Sequence, residues 1–76
     1  MAGLKIHAAR RVLARNVRRF RHARGMSQED LAAAARLHQS QISEIESAKI
    51  NVSIDIFQRL ARALGARLAE LLEEKP

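Results

Sequence analysis

Cysteine is absent from this chain of 76 residues. That removes disulfides and thiolate metal sites as sources of stability, and it is compatible with a reducing, cytoplasmic setting. Tyrosine is absent as well, and no glycine-rich phosphate loop occurs. The three histidines, His7, His22 and His38, are far apart and lack the i, i+4 pairing of a helical metal site. A body this small is also a poor host for an enclosed pocket. Neither an enzyme, a bound metal nor a cofactor is expected. No apolar run approaches the roughly 20 residues that a membrane span needs, so no membrane partner is expected either. The single proline is Pro76, and no stretch alternates polar and apolar residues as a strand would, so the chain reads as helical throughout.

Acidic residues are missing from one whole segment. Residues 1–26 carry eight basic side chains (Lys5, Arg10, Arg11, Arg15, Arg18, Arg19, Arg21 and Arg24) and no acid, whereas residues 27–76 carry six basic and eight acidic groups, a net charge of −2. A positive field concentrated on one element suits a polyanion, with nucleic acid the leading candidate; the same face could also serve solubility alone. An arginine-rich, acid-free start is shared by organellar transit peptides. Against that reading, the segment is poor in serine, and Leu13, Val17 and Phe20 follow the helical spacing that a domain core uses.

A chain of this length is expected to form one domain, residues 1–76, with limited burial. The first helix is predicted over about 7–24, with Ala9, Leu13, Val17 and Phe20 on one stripe and Gly25 as a left-handed stop. Ser27 followed by Gln28, Glu29 and Asp30 is an N-cap with acids in the first turn, where the helix dipole favours them, and it opens a second helix over 28–35 that buries Leu31, Ala32 and Ala35. A third, over 39–47, buries Ile42 and Ile45. Ser53 opens a fourth over 53–64, with Ile54, Phe57, Leu60, Ala61 and Leu64 pointing inward and Gly65 ending it. A last short helix over 67–73 carries Leu68, Leu71 and Leu72, and the residues after it are expected to fray. The result is an all-α, compact five-helix bundle.

Only Arg36, Leu37 and His38 separate the second and third helices, too few for the two to lie flat and antiparallel. The link forces a steep crossing, the geometry of a helix-turn-helix. From about Leu13 to Leu72 the chain resembles the helix-turn-helix domain of Cro and lambda-repressor-like regulators, the XRE family. The resemblance is carried by VRRFRHARGMSQEDLA, then LHQSQISEIESAK, then NVSIDIFQRLARALGARLAELL. Within that family, LH before the third helix and NVS after the loop look like the controller proteins of restriction–modification systems, which are small dimeric regulators. The resemblance implies a lambda-repressor-like fold whose third helix enters the DNA major groove while the second braces it across the backbone. Four positions depart from the family pattern. Arg36 stands where the turn usually holds glycine, Ala48 replaces the loop glycine and Val52 the usual proline. His38 stands where serine or threonine usually caps the third helix and is a poorer cap.

The exposed face of the third helix would then be Gln39, Ser40, Ser43 and Glu44, the expected base contacts. Glutamine can bond adenine N6 and N7 together, and a glutamate can accept from cytosine N4 while its charge repels phosphates. Glu44 is therefore either a discriminating contact or the partner of a nearby arginine. By resemblance, Gln28 bonds a DNA phosphate from the N-terminus of the second helix, and Lys49, Asn51 and Ser53 lie along the backbone; Arg24, Arg36 and Gln41 complete the expected phosphate contacts. The resemblance also implies a buried structural ion pair between Arg21 and Glu46. A homodimer on double-stranded DNA is expected, its face built from the last two helices with Val52, Ile56, Leu68, Leu71 and Leu72. The competing reading is an antitoxin-type interaction module whose DNA binding is autoregulatory.

Overall fold

The structure, a computed structural model, describes residues 6–74. Lys5, Lys75 and Pro76 lie outside the described residues, as does the side chain of His7. Five helices follow one another: α1 Ile6–Ala23, α2 Gln28–Ala35, α3 Gln39–Glu46, α4 Ile54–Leu64 and α5 Leu68–Leu71. Among the described residues all regular structure is helical, and no helix is long and apolar enough to cross a membrane. The expected boundaries are met within a residue for the first four helices. Ser53 is the N-cap of α4, as expected, and its hydroxyl accepts from the Ile56 N–H at 3.2 Å. The fifth helix is shorter than expected at both ends: Arg67 is its cap, and the chain leaves helical geometry at Leu72.

Packing centres on Val17, Leu31, Ile42, Ile45, Leu60, Leu64 and Leu71, all fully buried and contributed by all five helices. α3 lies against both α1 and α2, while α4 backs α2 and α5 closes the far end against α1 and α4. Burying a leucine or isoleucine fully is worth about 1.5–3 kcal/mol, so this set supplies most of the cohesion of a chain without staples. On α1, Leu13 and Val17 are buried as expected, but Phe20 is only partly covered, and Val12 and Ala14 are buried too. Two expectations fail. Leu71, expected on the dimer face, is in the core, because a single helical turn can aim only one of its leucines inward; Leu68 and Leu72 remain 38% and 42% exposed. Ile54, expected to point inward, is 70% exposed, because it borders an open cleft with Ala9, Leu13 and Leu72 that no helix among the described residues covers.

Four of the helices end in the same hydrogen-bond pattern. The N–H groups of Met26, Leu37, Lys49 and Ala66 reach back to the carbonyls of Arg21, Ala32, Glu44 and Ala61 at 2.8–3.0 Å, the six-to-one bond of the Schellman motif. Each motif needs a left-handed residue just before that donor, and these are Gly25, Arg36, Ala48 and Gly65, with φ between 59° and 66°. Glycine adopts that angle freely, but Arg36 and Ala48 do so at a cost of roughly 1–2 kcal/mol each.

Asn16 is the buried polar residue that the stripe of apolar positions conceals. It is 2% exposed, and its side-chain amide donates to the carbonyls of Leu71 at 2.8 Å and Glu73 at 2.9 Å. These are orphan acceptors at the C-terminal end of α5, which a helix of one turn cannot satisfy itself. The amide thus pins α5 to α1.

Two substitutions should move stability in opposite directions. Ala48→Gly relieves the left-handed angle and is expected to stabilise the fold by about 1 kcal/mol. Asn16→Ala strands the α5 carbonyls and is expected to cost about 1–3 kcal/mol. Urea denaturation measures both, and a destabilised Ala48→Gly or an unaffected Asn16→Ala would contradict the assignments.

Candidate nucleic-acid interface

The candidate interface begins at the start of α2. Ser27 caps that helix through a reciprocal pair: the Asp30 N–H donates to the Ser27 hydroxyl at 3.0 Å, and the Ser27 N–H donates to the Asp30 carboxylate at 2.9 Å. The Ser27 N–H first, and the Ser27 hydroxyl after it, hold the Asp30 pKa below the ordinary carboxylate value, and the carboxylate complements the helix dipole. The cap sets the direction of α2 and brings Gln28 alongside the start of α3.

From there a continuous chain of bonds runs inward. The Gln39 amide donates to the Gln28 side-chain oxygen at 2.8 Å, and the Gln28 amide donates to Glu46 Oε1 at 3.1 Å. The Glu46 carboxylate accepts two bonds from Arg21, at 2.7 Å from Nε and 3.0 Å from Nη2. Arg21 Nη1 also donates to the Met26 carbonyl at 2.9 Å. Both members of the pair are buried, so the expected Arg21–Glu46 ion pair is present. The hydrogen bonds to Glu46 raise the Arg21 pKa, burial opposes them, and the carboxylate's charge adds to the rise.

α3 presents the expected face. Gln39, Ser40 and Glu44 are exposed and Ser43 is half-buried. No Glu44–arginine contact occurs among the described residues, which leaves its carboxylate on the open side of α3. The His38 imidazole makes no capping bond; the Gln41 side-chain oxygen accepts from the His38 N–H at 2.9 Å instead. Gln41, expected at the backbone, thus also caps the helix it belongs to.

The other expected phosphate contacts divide. Lys49 is exposed after α3, and the Arg36 side chain is exposed on the turn while its carbonyl accepts from Arg59 Nη1 at 3.1 Å. Asn51 accepts from Arg10 Nη2, and Ser53 is occupied as the α4 cap. Arg24 also has a partner within the protein. Its Nε donates to the Leu64 carbonyl at 2.5 Å, and its guanidinium lies so close to Gly65 that a Cβ there would sit 2.1 Å from it. Arg24 is committed to the α4 C-terminus because that end carries orphan carbonyls and a negative partial charge. Arg18 does the same for α3 through the Glu46 carbonyl. Neither clamp was visible in the sequence, where all arginines of α1 read alike. At the proposed dimer face, Val52 and Ile56 are half-buried against the core, Leu68 and Leu72 are exposed, and Leu71 is internal.

Two short helices joined by a three-residue left-handed turn, braced by three more, with a polar outer face on the second, make a helix-turn-helix protein of the DNA-binding regulator class. The chain belongs to the helix-turn-helix family, whose model matches residues 17–71. It is 38% identical over 63 residues to a "Neisseria hypothetical transcription factor" of Neisseria meningitidis, an alignment spanning 83% of this chain and 59% of that protein. It is also 38% identical over 65 residues to the "Control protein C.BamHI" of Bacillus amyloliquefaciens, covering 84% of this chain and 80% of the relative. Its fold superposes on the crystal structure of the Neisseria factor with a TM-score of 0.84 at 35% identity, covering 96% and 85% of the two chains. The restriction–modification controller protein C.AhdI of Aeromonas hydrophila follows at 0.80 and 34%, covering 84% of this chain and 97% of the other.

Breaking the ion pair should be far costlier than replacing it. Glu46→Leu alone strands the Arg21 charge and is expected to lose about 3–5 kcal/mol, with the double variant Arg21→Met/Glu46→Leu recovering much of that. A double-mutant cycle by urea denaturation checks this, and two small, additive losses would mean the pair is ordinary surface charge.

Proposed function

We propose that the chain is a sequence-specific transcription regulator that binds double-stranded DNA as a homodimer, with α3 in the major groove. The observation that carries this reading is the bond chain from buried Arg21–Glu46 through Gln28 to Gln39. It fixes an exposed glutamine at the start of α3, and a fixed amide can pair with adenine N6 and N7 at low entropic cost. Gln39, Ser40, Ser43 and Glu44 form the reading face. Gln28, Gln41, Lys49 and the Arg36 side chain stand around it as phosphate contacts, with Asn51 and Ser53 near the following loop. The setting proposed is bacterial and cytoplasmic, and the resemblance to proteins named as control proteins favours a controller role in a restriction–modification system.

A unit this small reads few base pairs, and pairing two copies places the half-sites about one helical turn apart. The apolar edge that supports a dimer is Ile54, Leu68 and Leu72, beside a mainly apolar cleft of about 430 Å³ that also includes Val52 and Phe57.

Selection of bound sites from a random DNA pool should give a two-fold-related sequence. Gln39→Ala and Glu44→Ala should each shift the preferred bases and weaken the selected site by about 1–3 kcal/mol, read by fluorescence anisotropy. Sedimentation should show a dimer that Ile54→Glu/Leu72→Glu converts to monomer. Unchanged preferences in both α3 variants would reject the reading face, and a wild-type monomer at high micromolar concentration would reject the dimer.

A further inference from the structure

Arg11, Arg15 and Arg18 recur at i, i+4 and i+7 along α1 and therefore share one face. All three are exposed, and together they line a cleft of about 550 Å³ whose opposite wall is Ser47 and Ala48 at the end of α3. The small residue Ala14 keeps the floor of that cleft open. A helix C-terminus would ordinarily repel an anion, but here that repulsion is cancelled. Arg18 donates to the last helical carbonyl, that of Glu46, and Arg21 neutralises the Glu46 carboxylate. Arg11 and Arg15 have no hydrogen-bond or ion-pair partner among the described residues, so their charge faces the cleft uncompensated. Glu74 is the one other acid on its rim.

The shape of the cleft selects among anions. The three arginines rise about 10 Å along the α1 axis, a row of positive charge and not a single point. A row of charges suits a repeating polyanion better than a single phosphate. The cleft also continues the α3 surface, since Ser47 follows Ser43 and Glu44 by one turn, and the Ser47 hydroxyl is held on the Ser43 carbonyl at 2.6 Å.

We propose that this cleft seats the sugar–phosphate backbone of the bound duplex beyond the bases reached by α3, with Arg11 and Arg15 contacting phosphates and Arg18 holding the cleft wall. The proposal rests on the DNA-binding reading, and it assigns a second, sequence-independent contact surface on α1.

The test measures binding of the full chain to its selected duplex and to an unrelated duplex over a range of salt concentrations. Arg11→Gln/Arg15→Gln should flatten the slope of log affinity against log salt by about two on both duplexes. The ranking of the duplexes and the thermal midpoint should stay as in the wild type, and Arg11→Lys/Arg15→Lys should restore the slope. A wild-type slope in the glutamine variant, with the duplexes still ranked, would overturn the cleft and leave α3 reading intact. A wild type that binds both duplexes equally would overturn sequence reading, while the slope change would still decide the cleft. Absence of any duplex binding would overturn both.

Discussion

The Arg21–Glu46 pair is the contact on which the placement of α3 depends. It is buried between α1 and the end of α3, and its carboxylate gathers three bonds, two from Arg21 and one from Gln28. Desolvating two charges is expensive, and the Coulombic return offsets that expense only with good geometry and satisfied partners. Those conditions hold only when α1, the start of α2 and α3 stand in one arrangement. A pair of this kind adds little net stability over well-packed apolar side chains, yet it penalises every other placement of α3. Because Gln28 spans from the pair to Gln39, the same constraint reaches the solvent-facing amide.

The basic segment has two different uses. Arg18, Arg21 and Arg24 turn to protein: each donates to a main-chain carbonyl, and Arg18 and Arg24 serve the ends of α3 and α4. A guanidinium at a helix C-terminus meets both orphan acceptors and the negative end of the dipole. Among the described residues Arg11 and Arg15 have no such acceptor, and their side chains stay exposed. Net charge alone therefore overstates how much of α1 is available to a polyanion.

The apolar edge near α5 depends on a buried polar residue. A helix of one turn has no intrinsic stability; α5 is held by Leu71 in the core and by the Asn16 amide on its terminal carbonyls. With those two contacts made, Leu68 and Leu72 stay exposed, and Leu72 borders the same cleft as Ile54.

The sequence by itself determined the order and nearly all boundaries of the helices. Their signals are local: Ser27 and Ser53 as caps, Gly25 and Gly65 as left-handed stops, and apolar spacing within each segment. It also made the ion pair and the polar face of α3 legible, through the resemblance and through residue chemistry. Arg36 and Ala48 were readable as irregular but not as ends of the same motif as the two glycines, since that depends on a hydrogen bond which only the folded backbone forms. Tertiary structure alone decided the rest. Which leucine of α5 enters the core, why Ile54 stays out, and which arginines clamp carbonyls and which face solvent are set largely by neighbours distant in the chain, such as Glu46 for Arg18 and Leu64 for Arg24. Asn16 is the sharpest case: in the sequence it interrupts an apolar stripe, and its purpose exists only where α5 returns to meet it.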